Sequence, residues 1–244
     1  MRPKIVLFGD SITEESFREG GWGAALANHF TRTADVVLRG YSGYNTRWAL
    51  RAIERVLGAE GVGGGEGVVA VTVFFGANDA AVHDRASAFQ HVPLDEYKLN
   101  LRSIVSFVNK RWPEVVIILI TPPPIDVEGR LRYVIIYYLF QTSGLPERTN
   151  EAAGAYAKAC ISVAGECGLP VIDLWSRIQQ LDDWEKSCLR DGLHFTCIGN
   201  DVLFKEVVDT LRKESVSLET LPVDLPLCSE MYPNDPLKAF ESQI

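Results

Sequence analysis

The sequence lacks the features that mark several large classes of protein. It has no run of Lys or Arg that could follow a phosphate backbone, and its formal charge is −8, so nucleic acid is not an expected partner. The longest apolar runs, Val115–Ile120 and Tyr133–Phe140, are far shorter than a membrane-spanning helix. The five cysteines include no Cys-x-x-Cys pair, which argues against a disulfide framework and a structural zinc site.

A secretory signal is also missing from the start of the sequence. Met1 is followed within three residues by Lys4-Ile5-Val6, which leaves no room for a charged segment, an apolar core and a cleavage site. The odd number of cysteines fits a reducing compartment. These observations predict a soluble, cytoplasmic protein.

What the sequence does contain is a repeated alternation of strand and helix patterns. The chain has 244 residues, 47% of them hydrophobic, which is enough for one large domain with a substantial core. Strand and helix patterns alternate without a change in composition, which predicts an α/β fold: a three-layer α/β/α sandwich with a five-stranded parallel sheet in the flavodoxin-like order 2-1-3-4-5. The predicted strands are Lys4–Phe8, Asp35–Leu38, Val68–Phe75, Val115–Ile120 and Leu169–Ile172.

Two segments fit this alternation poorly. Ile125–Pro146 follows the fourth predicted strand and carries the apolar run Tyr133–Phe140, so it is either a lid or acyl pocket at the rim of the sheet or a plain core-packed helix. Residues 1–214 are expected to form the domain. Residues 215–244 contain four prolines and no periodicity, which predicts an irregular tail that is either disordered or laid over the domain. The side chains expected to anchor it are Leu221, Val223, Leu225 and Leu227.

The most informative turn is Gly9-Asp10-Ser11, between the first strand and a helix-compatible segment. A strand that breaks at a glycine and restarts as a helix holds its turn at the carboxyl edge of the sheet, where open α/β folds bind ligands. Backbone N–H groups at a helix start can face a developing negative charge, so Ser11 is a candidate nucleophile. The alternative is structural, because Ser11 and Glu14 also match the Ser-x-x-Glu capping box.

Ser11, Gly43 and Asn78 all follow predicted strands and therefore lie on one rim. A serine nucleophile needs a base, and the base needs an acceptor that fixes its tautomer. Of the four histidines, only His194 has a carboxylate, Asp191, three residues upstream in a loop before a helix. Each feature also has a plain structural explanation: a polar loop for the Asp-x-x-His, a turn for Gly43 and an Asx turn for Asn78.

Four short blocks, in matching order, resemble those of the GDSL or SGNH hydrolase superfamily. Ile12 replaces the more usual leucine in the first block. Within the superfamily the chain is similar to the isoamyl acetate-hydrolysing esterase-like proteins, and to their plant members most of all, over roughly residues 1–214. The four blocks are Gly9-Asp10-Ser11-Ile12, Gly43, Gly76-Ala77-Asn78-Asp79 and Asp191-Gly192-Leu193-His194.

The resemblance implies a role for each of five residues. Ser11 would be the nucleophile, His194 the general base and then acid, and Asp191 its orienting partner. An oxyanion hole would consist of the N–H groups of Ser11 and Gly43 and the side-chain amide of Asn78. We therefore expect a serine esterase that hydrolyses small carboxylic esters, with an acetyl or other short acyl group, through an acyl-enzyme and without a metal or other cofactor.

Two other functions are compatible with the same residues. A metal-dependent phosphoesterase could use Asp10, Asp79, Asp191 and His194 as ligands, although such metal sites usually contain more than one histidine. A non-catalytic small-molecule binder on the same scaffold would leave the shared location of a Ser, a His and an Asp at strand-end loops unexplained. The expected partner is a small-molecule ester, and the sequence carries no signal for an oligomeric state.

Overall fold

Five apolar segments form one parallel sheet in the computed structural model. The structure describes residues 2–58, 61–62, 67–137 and 145–243, and at 133–137, 236 and 241–243 it describes the backbone alone. The strand order is β2-β1-β3-β4-β5, and every neighbouring pair is parallel. The predicted α/β fold and strand order are confirmed. The strands are β1 (Lys4–Gly9), β2 (Asp35–Gly40), β3 (Val68–Phe74), β4 (Val116–Ile120) and β5 (Val171–Ile172).

Strand β1 shows why the fold has three layers. Its residues Ile5, Val6, Leu7 and Phe8 are fully buried. Because successive side chains of a strand point to opposite faces, Ile5 and Leu7 enter one hydrophobic core and Val6 and Phe8 enter the other. A sheet with two apolar faces must be covered by helices on both sides.

Helices cover the two faces of the sheet. α2 and α9 pack on the face with Ile5 and Leu7, whereas α3, α4 and most of α6 pack on the face with Val6 and Phe8. The helices are α1 (Ser11–Glu14), α2 (Trp22–His29), α3 (Thr46–Leu57), α4 (Leu94–Arg111), α5 (Val127–Tyr137), α6 (Asn150–Cys167), α7 (Leu174–Ile178), α8 (Trp184–Ser187) and α9 (Cys197–Lys213). Short 3-10 segments are Glu15–Phe17, Ala88–Gln90, Cys228–Glu230 and Pro236–Gln243.

Local differences from the sequence predictions have simple causes. β2 continues through Arg39 to Gly40, although the apolar pattern stops earlier, because Gly40 pairs with Gly9 of β1. In the sequence Thr46 is a candidate cap for α3, but Asn45 caps the helix, since its side chain accepts from the N–H of Trp48, and Thr46 is the first helical residue. Helices α7 and α8, with five and four residues, are too short to show a helical period in the sequence.

The two unusual segments are partly described. The backbone of α5 is helical to Tyr137, but residues 138–144 of the segment Ile125–Pro146 lie outside the described residues, so the lid or acyl pocket stays a prediction. In the tail, Leu221 packs against the core. Val223, Leu225 and Leu227 are exposed instead of anchoring it. The division at residue 214 also stays a prediction. Within the described residues, none of the helices combines the length and apolar character that crossing a membrane requires.

Charged groups also hold the tail against the domain. Asp224 accepts hydrogen bonds from Arg2 at 2.5 Å and from Arg32 at 3.1 Å. Arg32 also donates to the carbonyl of Leu225 at 2.7 Å. The tail is therefore held at this point by guanidinium groups rather than by the apolar side chains that the sequence suggests.

Candidate active site

The turn between β1 and α1 places Ser11 at the carboxyl edge of the sheet, where it is largely buried. Asp10 caps the helix, since its carboxylate accepts from the N–H of Ile12 at 3.0 Å. Glu14 accepts from the backbone N–H of Ser42 at 2.7 Å. Ser11 is thus the first helical residue and not a cap, so the capping-box explanation of Ser11 and Glu14 is wrong. The hydroxyl of Ser11 is free for other contacts.

The tight turn depends on the glycine that ends β1. A Cβ atom at Gly9 would lie 2.1 Å from Oγ1 of Thr13 and 2.7 Å from the carbonyl oxygen of Phe74. Real Cβ atoms do not approach other atoms so closely, so only glycine lets the chain turn here against β3. This packing fixes the position of Ser11 relative to the sheet.

Ser11, His194 and Asp191 form a continuous chain of contacts. The Oγ of Ser11 lies 2.9 Å from Nε2 of His194, and Nδ1 of His194 lies 2.7 Å from Oδ2 of Asp191. With Nδ1–H donating to Asp191, Nε2 carries the lone pair that can accept the hydroxyl proton of Ser11. The structure therefore brings together the three residues that the sequence singled out.

The loop that carries His194 is built around Asp191. Its Oδ1 accepts the backbone N–H groups of Leu193 at 3.0 Å and His194 at 2.8 Å. An antiparallel bridge between Leu189 and Phe195 closes the base of the loop. One carboxylate thus shapes the loop with one oxygen and orients the imidazole with the other.

The charge state of Asp191 follows from its partners. Burial of the carboxyl group acts to raise its pKa, but hydrogen bonds and charge from His194, together with the nearby Arg130, outweigh burial. The result is a pKa well below the ordinary value of an aspartate. Asp191 is therefore ionised throughout the neutral range and can stabilise a positively charged imidazole.

Gly43 and Asn78 complete the same rim. Gly43 has a φ of +77°, a left-handed conformation that favours glycine, in the loop between β2 and α3. Nδ2 of Asn78 donates to the carbonyl of Tyr44 at 2.9 Å, which leaves its second hydrogen available. Oδ1 of Asn78 accepts from Arg148 at 2.8 Å and from Gln90 at 3.2 Å. Because that oxygen is bonded to two side chains, the Asx-turn explanation of Asn78 is wrong.

Gln90 ties these two residues together. Its Nε2 donates to the carbonyl oxygen of Gly43 at 2.9 Å as well as to Asn78, and its Oε1 accepts from Arg148 at 2.8 Å. Sequence reasoning missed Gln90, because it lies in the segment 80–93 that showed no pattern. It also missed Arg130, Glu147 and Arg148, since nothing in a sequence marks which charged residues will be buried.

Two further carboxyl groups are buried beside the site. Burial raises the pKa of Asp10 to about 7 and that of Asp79 to about 7. Asp79 accepts from the N–H of Thr46 at 3.0 Å, and the Thr46 hydroxyl also contacts it. In the described part of the chain, no three His, Cys, Asp or Glu side chains cluster closely enough to hold a metal ion.

The other histidines make contacts of their own. His29 packs edge-on against Phe30 and Phe204. His91 bonds through Nδ1 to the carbonyl of Ala81 at 2.7 Å, and its ring contacts that of His83. His194 is thus the histidine that the fold brings to Ser11.

A cavity with both polar and apolar walls adjoins His194. Its volume is 260 Å³, and charged side chains make up a large part of its wall. Arg18 and Arg190 both pair with Glu15 there, the first at 3.0 Å. The remaining wall is formed by Ile12, Glu19, Gly21, His194, Phe195, Thr196, Cys197 and Asn200.

Comparison with known proteins agrees with this geometry. Residues 5–207 match the family GDSL-like Lipase/Acylhydrolase. The chain is 62% identical to GDSL esterase/lipase At5g45920 of Arabidopsis thaliana, over 99% of both chains. It is 45% identical to the isoamyl acetate-hydrolyzing esterase 1 homolog of Rattus norvegicus, over 91% of this chain and 86% of the relative.

Solved structures share the fold. The lipase/acylhydrolase from Enterococcus faecalis superposes with a TM-score of 0.66 at 26% identity, covering 88% of this chain and 97% of that one. The acetylxylan esterase Axe2 from Geobacillus stearothermophilus has a TM-score of 0.63 at 22% identity, covering 86% and 94%. At that identity, the likeness to Axe2 concerns the fold alone.

Fold, site geometry and relatives define a carboxylic ester hydrolase with a parallel α/β sheet. The chain belongs to the GDSL-like lipase/acylhydrolase family. The family resemblance of the four sequence blocks is thereby confirmed.

Proposed function

We propose that this hydrolase cleaves small carboxylic esters through an acyl-enzyme on Ser11. The single observation that carries the proposal is the chain of contacts from Ser11 through His194 to Asp191, with separations of 2.9 Å and 2.7 Å. A nucleophile, a base and an orienting acid within hydrogen-bond distance of one another form the arrangement that acyl transfer requires.

In the first half of the reaction, Oγ of Ser11 attacks the carbonyl carbon while Nε2 of His194 takes the hydroxyl proton. Asp191 stabilises the resulting imidazolium. The negative charge that develops on the carbonyl oxygen is stabilised by the N–H groups of Ser11 and Gly43 and by Nδ2 of Asn78. When the tetrahedral intermediate collapses, the bond to the alcohol oxygen breaks and His194 returns the proton to that oxygen.

In the second half, water replaces the alcohol. His194 takes a proton from water, the hydroxide oxygen attacks the acyl carbon, and the same N–H groups stabilise the second oxyanion. Collapse releases the carboxylic acid and returns the proton to Ser11. Each atom and proton is accounted for by the ester, water and these residues, so the mechanism calls for no metal or cofactor.

The alcohol part of the ester lies on the His194 side in this proposal. A general acid must be within reach of the leaving oxygen, and His194 forms part of the wall of the 260 Å³ cavity. A short acyl group is supported by the name of the rat relative, an isoamyl acetate-hydrolyzing esterase homolog. A panel of esters that share one alcohol and differ in acyl length tests this part of the proposal. Falling kcat/KM beyond the shortest acids is expected, and a preference for long acyl chains would contradict it.

The roles of Ser11 and His194 are tested by substitution. Ser11→Ala and His194→Ala should each abolish turnover of a chromogenic acetate ester, while circular dichroism and the melting temperature stay close to those of the parent protein. Ser42→Ala is the matched control. Ser42 lies on the same rim, and its bond to Glu14 is made by the backbone N–H, which the alanine keeps. Turnover like that of the parent protein in either variant would remove that residue from the mechanism.

A further inference from the structure

Three charged side chains are buried beside the site, and the mechanism above uses none of them. Arg130, Glu147 and Arg148 have side-chain exposures of 5%, 2% and 6%. Oε1 of Glu147 accepts from Nε of Arg130 at 2.9 Å and from Nη1 of Arg148 at 2.8 Å. Nη2 of Arg130 contacts the same oxygen. One carboxylate oxygen therefore joins two guanidinium groups.

The first guanidinium group reaches Asp191. Nη1 of Arg130 lies 3.5 Å from Oδ2 of Asp191, the oxygen that also contacts His194, and 3.4 Å from the carbonyl oxygen of Asp191. This cation is one of the causes of the low pKa of Asp191. Arg130 thus places a positive charge beside the same carboxylate oxygen that contacts the imidazole.

The second guanidinium group reaches the proposed oxyanion hole. Nη2 of Arg148 donates to Oδ1 of Asn78 and to Oε1 of Gln90, both at 2.8 Å, and Nε donates to the carbonyl of Ala77 at 2.9 Å. A cationic donor on Oδ1 prevents the side-chain amide of Asn78 from rotating by half a turn. After such a rotation the amide would present its oxygen, and not its N–H, to the developing negative charge.

Glu147 is what allows both cations to be buried together. Without its charge the two guanidinium groups would repel each other in a region with little solvent. Buried ion pairs are often no more stabilising than apolar side chains of the same volume, because the cost of desolvation offsets the attraction. A gain in stability is therefore a weak explanation for this trio, whereas its two contacts with the site are specific.

We infer that Glu147 is a positioning residue that sets both halves of the site, acting on Asn78 through Arg148 and on Asp191 through Arg130. The inference rests on the proposed function, because it assumes that Asn78 donates to the oxyanion and that Asp191 orients His194. Glu147 contacts neither residue directly, and its second oxygen, Oε2, has no hydrogen-bond partner among the described residues. Its effect therefore passes through the two arginines.

The variant that tests the inference is Glu147→Gln, which keeps the shape of the side chain and removes its charge. We expect kcat for a chromogenic acetate ester to fall about 10- to 100-fold, as misplaced catalytic groups typically cause. KM should stay within about threefold of the parent value, because an interaction made only in the transition state changes kcat and not binding. Glu206→Gln is the matched control, since Glu206 pairs with Arg177 at 2.8 Å between α7 and α9.

Arg148→Lys is the second variant, and it decides the question if Glu147→Gln does not fold. A lysine keeps the charge but lacks the planar fork that reaches Asn78, Gln90 and Glu147 together. The same loss in kcat is expected in the parent background. In an Asn78→Ala background, Arg148→Lys should lower kcat by a clearly smaller factor, because the contact with Asn78 is gone and the contact through Gln90 to Gly43 remains. An equal loss in both backgrounds, or a loss confined to KM, would overturn the inference.

The single variants separate this inference from the proposed function. If Asn78→Ala and Asp191→Asn keep the kcat of the parent protein, the proposed site itself is wrong, and the inference is overturned with it. If those two variants lose activity but Glu147→Gln and Arg148→Lys do not, only the inference is wrong. Melting temperatures measured beside the kinetics show whether a variant has lost its fold.

Discussion

Ser11 and His194 are 183 positions apart in the sequence, and their Oγ and Nε2 atoms lie 2.9 Å apart. The contact exists because β1 and the loop before α9 both open on the carboxyl edge of one parallel sheet. Open α/β folds bind ligands at that edge. The chemistry proposed for this protein depends on this meeting of two distant segments.

Asp191→Asn should reduce kcat by roughly 1,000- to 10,000-fold, as loss of the orienting carboxylate does in other serine hydrolases. The asparagine can keep the backbone bonds to Leu193 and His194, but it cannot stabilise a charged imidazole. Steady-state kinetics with a chromogenic acetate ester measure the loss. Asp209→Asn, which removes an exposed carboxylate beside Arg212, is the control and should leave kcat unchanged. A fall of less than tenfold for Asp191→Asn would argue against its orienting role.

Asn78→Ala and Asn78→Asp test the proposed amide donor from two directions. Removing an oxyanion donor typically lowers kcat about 100- to 1,000-fold, and we expect that loss in both variants. The alanine variant should also be destabilised by about 1–3 kcal/mol, because Arg148 and Gln90 lose a buried acceptor. The aspartate variant keeps that acceptor and should stay closer to the parent stability. Chemical denaturation measures this difference, and an active Asn78→Asp enzyme would show that Asn78 is not a donor.

Gly43→Ala tests whether the backbone of the β2–α3 loop takes part in the reaction. An alanine at a φ of +77° costs about 1–2 kcal/mol, and its Cβ would lie 3.3 Å from Nε2 of Gln90. Gly168→Ala is the matched control: its φ is +65°, no described atom lies within 4 Å of the added Cβ, and it sits at the end of α6. Both variants should lose similar stability, but only Gly43→Ala should lose kcat. Equal kinetics in the two variants would contradict a close approach of the ester to the Gly43 backbone.

Asp79→Asn tests the buried carboxyl group by the pH dependence of stability. Burial raises the folded-state pKa of Asp79 to about 7, above the ordinary value of 3.8. Between these values the folded protein keeps a proton that the unfolded chain has lost, so the free energy of unfolding falls as pH rises from about 4 to about 7. Urea denaturation across this range should show a shallower fall for Asp79→Asn than for the parent protein or for Asp201→Asn, an exposed control. Parallel curves for all three would contradict the raised pKa.

The sheet could be predicted from the sequence because its strands are nearly pure apolar runs. The apolar runs Val115–Ile120 and Val68–Phe75 are bounded by polar or turn residues on both sides, and the observed strands β4 and β3 differ from them by one residue each. The proposed triad is predicted by the Asp-x-x-His loop and by the resemblance of the four sequence blocks, because Asp191 and His194 follow α8 and not a strand. The flavodoxin-like order is the arrangement that suits five strands alternating with helices.

Contacts between side chains far apart in the sequence could not be predicted in this way. Thr46 looks like a helix cap in the sequence, but it bonds to Asp79, and Asn45 caps the helix instead. Glu147 and Arg148 look like an exposed charged pair, but both are buried, because Glu147 bonds to Arg130 and Arg148 bonds to Asn78 and Gln90. Burial of a charge depends on partners that no local pattern reveals.

The central claim is that Ser11 becomes covalently modified during turnover. An organophosphonate that mimics the tetrahedral intermediate reports this directly, because it is trapped by the activated nucleophile and can be located by peptide mass spectrometry. We expect one phosphonyl group per chain on the peptide that contains Ser11, with loss of esterase activity in step with labelling and no labelling of Ser11→Ala. Labelling at another residue would contradict the account. So would an enzyme that is not labelled and keeps its esterase activity in the presence of the phosphonate.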